Sequence, residues 1–114
     1  MEDTIFDKIL RGDLPSDVVY EDDNILAFRD INPQAPVHVL VIPKKKVESF
    51  NDLKDISPEE TGIFLKGVSH VAVSLGLAED GYRIVMNCGT IGQQTVEYLH
   101  AHILGERQMK WPPG

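Results

Sequence analysis

Val37-His38-Val39-Leu40-Val41-Ile42-Pro43 is the longest apolar run in the chain and its strongest β signal. β-branched residues stand on both faces of the run, which suits a strand. Pro43 closes it, since proline has no N–H for a ladder. Seven residues are far too few to cross a bilayer. One residue interrupts the apolar pattern. A buried imidazole at His38 needs a partner for its N–H and another for its bare nitrogen.

Working toward the N-terminus, Ile31-Asn32-Pro33-Gln34-Ala35-Pro36 reads as a loop stiffened by two prolines. Ile25 to Asp30 suits a second strand. Asp22-Asp23-Asn24 reads as a hairpin turn, with Val18, Val19 and Tyr20 as the strand before it. Leu14-Pro15-Ser16 is a turn. Thr4 followed by Asp7 has the form of a capping box. Ile5, Phe6, Ile9 and Leu10 recur at helical spacing and Gly12 is a natural stop, which predicts a short helix over 5–11.

Toward the C-terminus, Lys44-Lys45-Lys46 reads as a solvated strand end. Ser57-Pro58-Glu59-Glu60 opens a longer helix, with Ser57 as cap and Pro58 at the first helical position. Ile63, Phe64, Gly67, Val68, Val71, Ala72 and Leu75 share one helical face, and Gly76 ends it. His70 lies off that stripe and reads as a partly exposed structural residue. Tyr82 to Asn87 is a strand, Cys88 to Gln94 a loop, and Thr95 to Leu104 another strand. The order α-β-β-β-α-β-β with short early turns predicts an α+β fold. It is an antiparallel sheet of about five strands with one long and one short helix.

The 114 residues include 11 basic and 18 acidic side chains, for a net charge of −7. That length suits one domain over 1–114. The acidic balance argues against the basic stripe of a nucleic-acid or membrane binder. A local anion site remains open, because backbone N–H groups hold phosphate without basic side chains. The single cysteine, Cys88, excludes an internal disulfide and a multi-cysteine zinc site. The charged Met1-Glu2-Asp3 does not resemble a signal peptide, and the expected location is cytoplasmic.

The chemistry concentrates around 95–104. His100 and His102 are two apart on a predicted strand, so both imidazoles emerge on one face together with Tyr98. Leu99, Ala101 and Ile103 take the other face. The preceding loop offers Asn87, Gly89, Gly92 and Thr95, a set able to aim donors at a phosphate. Imidazoles beside such a loop suggest phosphoryl or nucleotidyl chemistry, with one histidine as nucleophile and another holding phosphoryl oxygens. A zinc site of His38, His100 and His102 is the competing reading of the same residues.

With these residues in view, the sequence resembles the histidine triad (HIT) superfamily, specifically its Hint branch of nucleoside phosphoramidases. The likeness runs through Thr4-Ile5-Phe6, Leu26-Ala27-Phe28, Asp30-Ile31, Pro33-Gln34-Ala35-Pro36, His38 with Leu40-Val41-Ile42-Pro43, Gly81-Tyr82-Arg83, Gln94-Thr95-Val96 and Leu104-Gly105. The ending Trp111-Pro112-Pro113-Gly114 is the most branch-specific piece. Two departures stand out. Tyr98 replaces the first of the three alternating motif histidines, and Gln93 stands where a glycine or small residue is usual.

The resemblance implies a purine nucleoside phosphoramidate hydrolase acting on AMP-linked amines, with no cofactor and no metal. It assigns His100 as nucleophile, His102 as the phosphate contact and His38 as the residue orienting His100. Asp30 would accept the ribose hydroxyls. Ile5, Phe28, Ile31 and Leu40 would line the base site, with Arg29 at the rim. Asn87 and Thr95 would bind the phosphate. It also implies a homodimer with joined sheets, each tail reaching the partner's site. The alternative is a purine-nucleotide-binding or interaction module with little turnover, because the triad is incomplete.

Overall fold

The computed structural model describes residues 3–114. Met1 and Glu2, which entered the argument against a signal peptide, lie outside the described residues. Helix α1 spans Ile5–Leu10, strand β1 Val18–Glu21, β2 Ile25–Arg29 and β3 Val37–Pro43. A 3-10 helix at Phe50–Asp55 precedes α2, Pro58–Ser74, and strands β4, Tyr82–Val85, and β5, Ala101–Gly105, complete the order. Both expected capping boxes form: Thr4 with Asp7 on α1 and Ser57 with Glu60 on α2. The 3-10 helix is the one regular element that periodicity did not suggest.

The five strands form one antiparallel sheet in the order β1-β2-β3-β5-β4. β3 is central and buried along its whole length. Its alternate residues feed two separate cores. Val37, Val39 and Val41 join Ala101, Ile103 and Leu99 beneath the Phe64, Val68, Val71 and Ala72 stripe of α2. Leu40 and Ile42 face the other way and join Phe6 of α1, Leu26, Phe28 and Tyr98. At Gly67 a Cβ would lie 2.8 Å from Ile25 Cδ1, so a larger residue there would have to displace that methyl where α2 meets the sheet.

The last strand is shorter than its pattern suggested. Its ladder to β3 ends at Val41↔Ala101 and its ladder to β4 at Val85↔His102. Pro43 has no N–H to extend the first, and β4 stops at Val85 rather than the expected Asn87. Residues 95–100 therefore approach the sheet outside the ladder. Among the described residues no helix is long and apolar enough to cross a membrane.

Candidate active site

The register of β3 against β5 builds the centre. Leu40 pairs with His102 and His38 with Leu104, so His38 and His102 are diagonal neighbours on the α1 face. His38 Nε2 lies 2.9 Å from His102 Nδ1. The Gln34 backbone N–H donates to His38 Nδ1 at 3.0 Å. That nitrogen is therefore an acceptor, and the neutral ring carries its hydrogen on Nε2. His38 thus donates to His102 Nδ1, which leaves the hydrogen of His102 on Nε2. Asp30 Oδ2 stands 3.4 Å from His38 Nε2 and reinforces this tautomer. His102 Nε2 is buried and, among the described residues, has no hydrogen-bond partner.

His100 is fixed differently. Its Nδ1 lies 2.6 Å from the carbonyl oxygen of Tyr98. A carbonyl only accepts, so Nδ1–H donates and Nε2 is left with its lone pair. Phe6 packs edge-on against the ring at 5.0 Å, and the His102 ring is also 5.0 Å away. Two neighbouring imidazoles thus present opposite functions: a bare nitrogen on His100 and an N–H on His102.

Burial keeps all three rings neutral. Desolvation lowers the pKa of His38 and of His100 below the ordinary histidine value, against the opposing pull of Asp30 and, for His100, the Tyr98 carbonyl. His102 falls furthest, to about 4, through burial first and then the proximity of His100 and His38.

A pocket of about 220 Å³ opens beside these rings. It gathers Ile5, Phe28, Asp30, Ile31, Leu40, Thr95, His100 and His102, nearly the whole site expected from the sequence. Arg29 stands at its rim, as expected, within 3.5 Å of Asp17. Ile31 is fully exposed and Ile5 half exposed, so the apolar slot has one open wall. Asp30 is set by its own N–H to the His38 carbonyl at 3.0 Å, and its Oδ1 accepts the Asn32 N–H at 2.8 Å. His38 and Asn87 are not part of the lining. His38 acts on the pocket through His102, and Asn87 lies two residues beyond Val85, the ladder partner of His102.

Two expectations need correction. His38 orients His102 and not His100, because the ladder register sets His38 diagonal to residue 102. Among the described residues, the ligand atoms that converge to within 4.8 Å belong to Asp30, His38 and His102, so Asp30 stands where the zinc reading had His100.

Sequence reading also missed several contributors. Phe6 was placed on a helix face but not against His100. Gln34 acts through its backbone, which leaves no side-chain signal. Gln94 organises the loop before the site: Oε1 accepts the Gly89 N–H at 3.1 Å, and Nε2 donates to the Glu48 and Val96 carbonyls at 2.8 and 3.0 Å. In the same loop a Cβ on Gly92 would lie 2.3 Å from the Cys88 carbonyl oxygen, so this turn excludes any larger residue. Gln93 adopts φ +67°, the left-handed region that favours glycine, which accounts physically for the glycine expected there.

An antiparallel sheet thus carries two imidazoles at the edge of one pocket, one with a bare ring nitrogen and one with an N–H. Residues 11–109 match the HIT domain model. The chain is 52% identical over 113 residues to a 14 kDa zinc-binding protein of Zea mays, covering 97% of this chain and 88% of that one. A HIT family hydrolase of Legionella pneumophila superposes with a TM-score of 0.92 at 49% identity, covering 98% of this chain and all of that one. A histidine triad nucleotide-binding protein of Candida albicans does so with a TM-score of 0.80 at 30% identity, covering 96% and 83%. The chain belongs to the HIT family.

The maize relative's name raises zinc. Asp30, His38 and His102 offer ligands of the right kind. Yet His38 Nε2 and His102 Nδ1 are 2.9 Å apart and share a hydrogen, while ligands on a tetrahedral zinc stand roughly 3.3 Å apart. In this arrangement the two rings form a hydrogen-bonded pair flanked by Asp30, and a zinc ion would have to displace that hydrogen and separate them.

Proposed function

We propose that this protein is a nucleotide-binding hydrolase that cleaves the P–N bond of purine nucleoside phosphoramidates, AMP-linked amines, through a nucleotidyl intermediate on His100. The observation that carries this reading is the pair of assigned tautomers. His100 Nε2 holds a lone pair while His102 Nε2–H is an unpartnered buried donor at the edge of one pocket. His100 attacks the α-phosphorus, the P–N bond breaks, and the amine leaves with its electron pair and a proton from solvent. Water then attacks phosphorus, the bond to Nε2 breaks, and AMP departs. His102 donates to a phosphoryl oxygen as charge builds there. Asp30 receives the ribose hydroxyls, and Ile5, Phe28, Ile31 and Leu40 hold the purine. Thr95, with Asn87 at the start of the loop, contacts phosphate. The HIT hydrolase and nucleotide-binding neighbours support the same class of chemistry.

The working form in this reading is a homodimer. β4 is an edge strand, and Tyr82 on it is exposed, as are Leu65 and Val73 on α2. Arg83 of the same strand donates to the Lys110 carbonyl at 2.9 Å, which holds the tail before exposed Trp111 against that edge, where a second subunit would meet it. Analytical ultracentrifugation checks this, with a monomer as the outcome against it. For the chemistry, rapid quench with an AMP phosphoramidate followed by intact-mass analysis is the direct experiment. The expected species is heavier by one adenylyl group and is absent in His100→Ala. AMP release without any adenylylated protein would replace the covalent route with direct attack by water.

A further inference from the structure

Resting on the proposed role of His100, we infer that Tyr98 is a positioning residue: its hydroxyl, bonded to the Pro43 carbonyl, holds the backbone whose carbonyl sets the tautomer of His100. The ladder cannot do this. β5 begins at Ala101, paired with Val41, and β4 reaches only as far as His102. The acceptor of His100 Nδ1 thus lies three residues before the strand, in a segment with no ladder bond.

Side-chain and loop contacts replace the ladder. Tyr98 Oη donates to the Pro43 carbonyl at 2.5 Å, and the Leu99 N–H donates to the Val47 carbonyl at 2.6 Å. Both tie the segment to the chain leaving β3. The Tyr98 ring is fully buried, edge-on to Phe6 at 6.1 Å, with Lys46 Nζ 5.7 Å from its centre. Lys46 is itself paired with Asp7 of α1 at 2.9 Å. The ring is therefore wedged between α1 and the exit of β3, with its hydroxyl engaged there. The hydroxyl is thus engaged away from His100, although Tyr98 and His100 share a period of two. It acts on His100 through the Tyr98 carbonyl.

The consequence is a change in tautomer. While the carbonyl is held 2.6 Å from Nδ1, the hydrogen stays on Nδ1 and Nε2 can attack. If the carbonyl drifts, the tautomer with hydrogen on Nε2 gains population, and that form cannot attack phosphorus. Ground-state binding through Asp30 and the apolar slot is untouched.

Tyr98→Phe keeps the ring and removes the anchor. With a fluorogenic AMP phosphoramidate, kcat should fall about tenfold while KM stays within about twofold. Nitrogen-15 NMR of the His100 ring should show the Nδ1–H form dominant in the native protein and reduced in Tyr98→Phe. Phe64→Leu, on the opposite face, supplies the control. It should lower the Tm and leave kcat and the His100 tautomer as they were. A native protein with hydrogen on Nε2 of His100 overturns the inference without any variant. So does a Tyr98→Phe protein with native kcat and tautomer, or a Phe64→Leu protein that loses kcat in step with its Tm. The two readings fail separately. Turnover in His100→Ala would sink the proposed hydrolase mechanism, whereas inactive His100→Ala beside an unaffected Tyr98→Phe would sink the anchor alone.

Discussion

On one face of the sheet, Val39, Val41, Ala101 and Ile103 are closed to solvent beneath the 17-residue helix α2. On the other, the same two strands carry His38, Leu40 and His102 beneath α1, a helix of six residues. The first face is covered by Phe64, Val68, Val71 and Ala72, and its buried cluster among the described residues is wholly apolar. The second is covered only in part, and a pocket of about 220 Å³ remains beside the imidazoles. Burying neutral histidines costs free energy unless their nitrogens are paired. Here the Gln34 N–H, the bond between His38 and His102, and the Tyr98 carbonyl meet that need and leave the Nε2 atoms of His100 and His102 facing the pocket side. One strand pair thus separates stability and reactivity by alternation alone.

The sharpest way to break this comparison is to substitute one residue on each face. His100→Ala should abolish phosphoramidate turnover by several orders of magnitude while AMP binding persists, since the apolar slot and Asp30 remain. Ile103→Ala, three residues on and facing α2, should cost about 2–5 kcal/mol of stability and leave kcat per folded molecule near native. Steady-state kinetics beside denaturant titration reads both. Equal effects of the two substitutions on both measurements would dissolve the division of labour.

Within the reactive face the hydrogen-bonded pair predicts an order. His102→Ala removes the N–H proposed to meet the phosphoryl oxygen and should lower kcat by about 10²–10³. His38→Ala removes only the group that orients His102 and should cost about tenfold. A larger loss at His38 than at His102 would mean that the imidazole pair works in the opposite sense.

pH should separate the faces again. The buried histidines have folded-state pKa values below the ordinary 6.5, with His102 near 4. Between those values the unfolded chain binds protons that the native site refuses, so native stability rises with pH through this window. The contribution is complete above about pH 6.5 and is lost progressively as pH falls toward 4. Turnover should follow, flat from neutral pH to about 6.5 and declining only below it, because the attacking nitrogen must be bare. Denaturation midpoints that do not change between pH 7 and pH 4.5 would contradict burial as the cause.

The smallest effect belongs to the loop before the site. Gln93 is held at φ +67°, where an L-residue is strained by about 1–2 kcal/mol and glycine is not, though glycine costs more entropy to fold. Gln93→Gly should therefore stabilise by less than about 1 kcal/mol, and destabilisation in chemical denaturation would show that the Gln93 side chain holds the loop.

Much of this was legible from residue order. The caps at Thr4 and Ser57, the α2 stripe from Phe64 to Ala72 and the central strand at 37–43 follow from local rules whose partners lie three or four residues apart, or two along a strand. The same period of two placed His100 and His102 on one face and Ala101 and Ile103 on the other, and likeness to the family nominated Asp30 and the apolar slot. Alternation assigns a residue to a face, however, and says nothing about its neighbour across the ladder. That His38 meets His102, 64 positions away, rather than His100 is set by the register of β3 on β5. That β5 starts only at Ala101 depends on where Pro43 and Val85 end their strands. That the Tyr98 hydroxyl reaches Pro43, 55 positions back, depends on α1 and the β3 exit closing around the ring. Those contacts arise from long-range pairing, whose geometry no local pattern encodes, so the tautomers that leave Nε2 bare on His100 and hydrogen-bearing on His102 were decided by the tertiary structure alone.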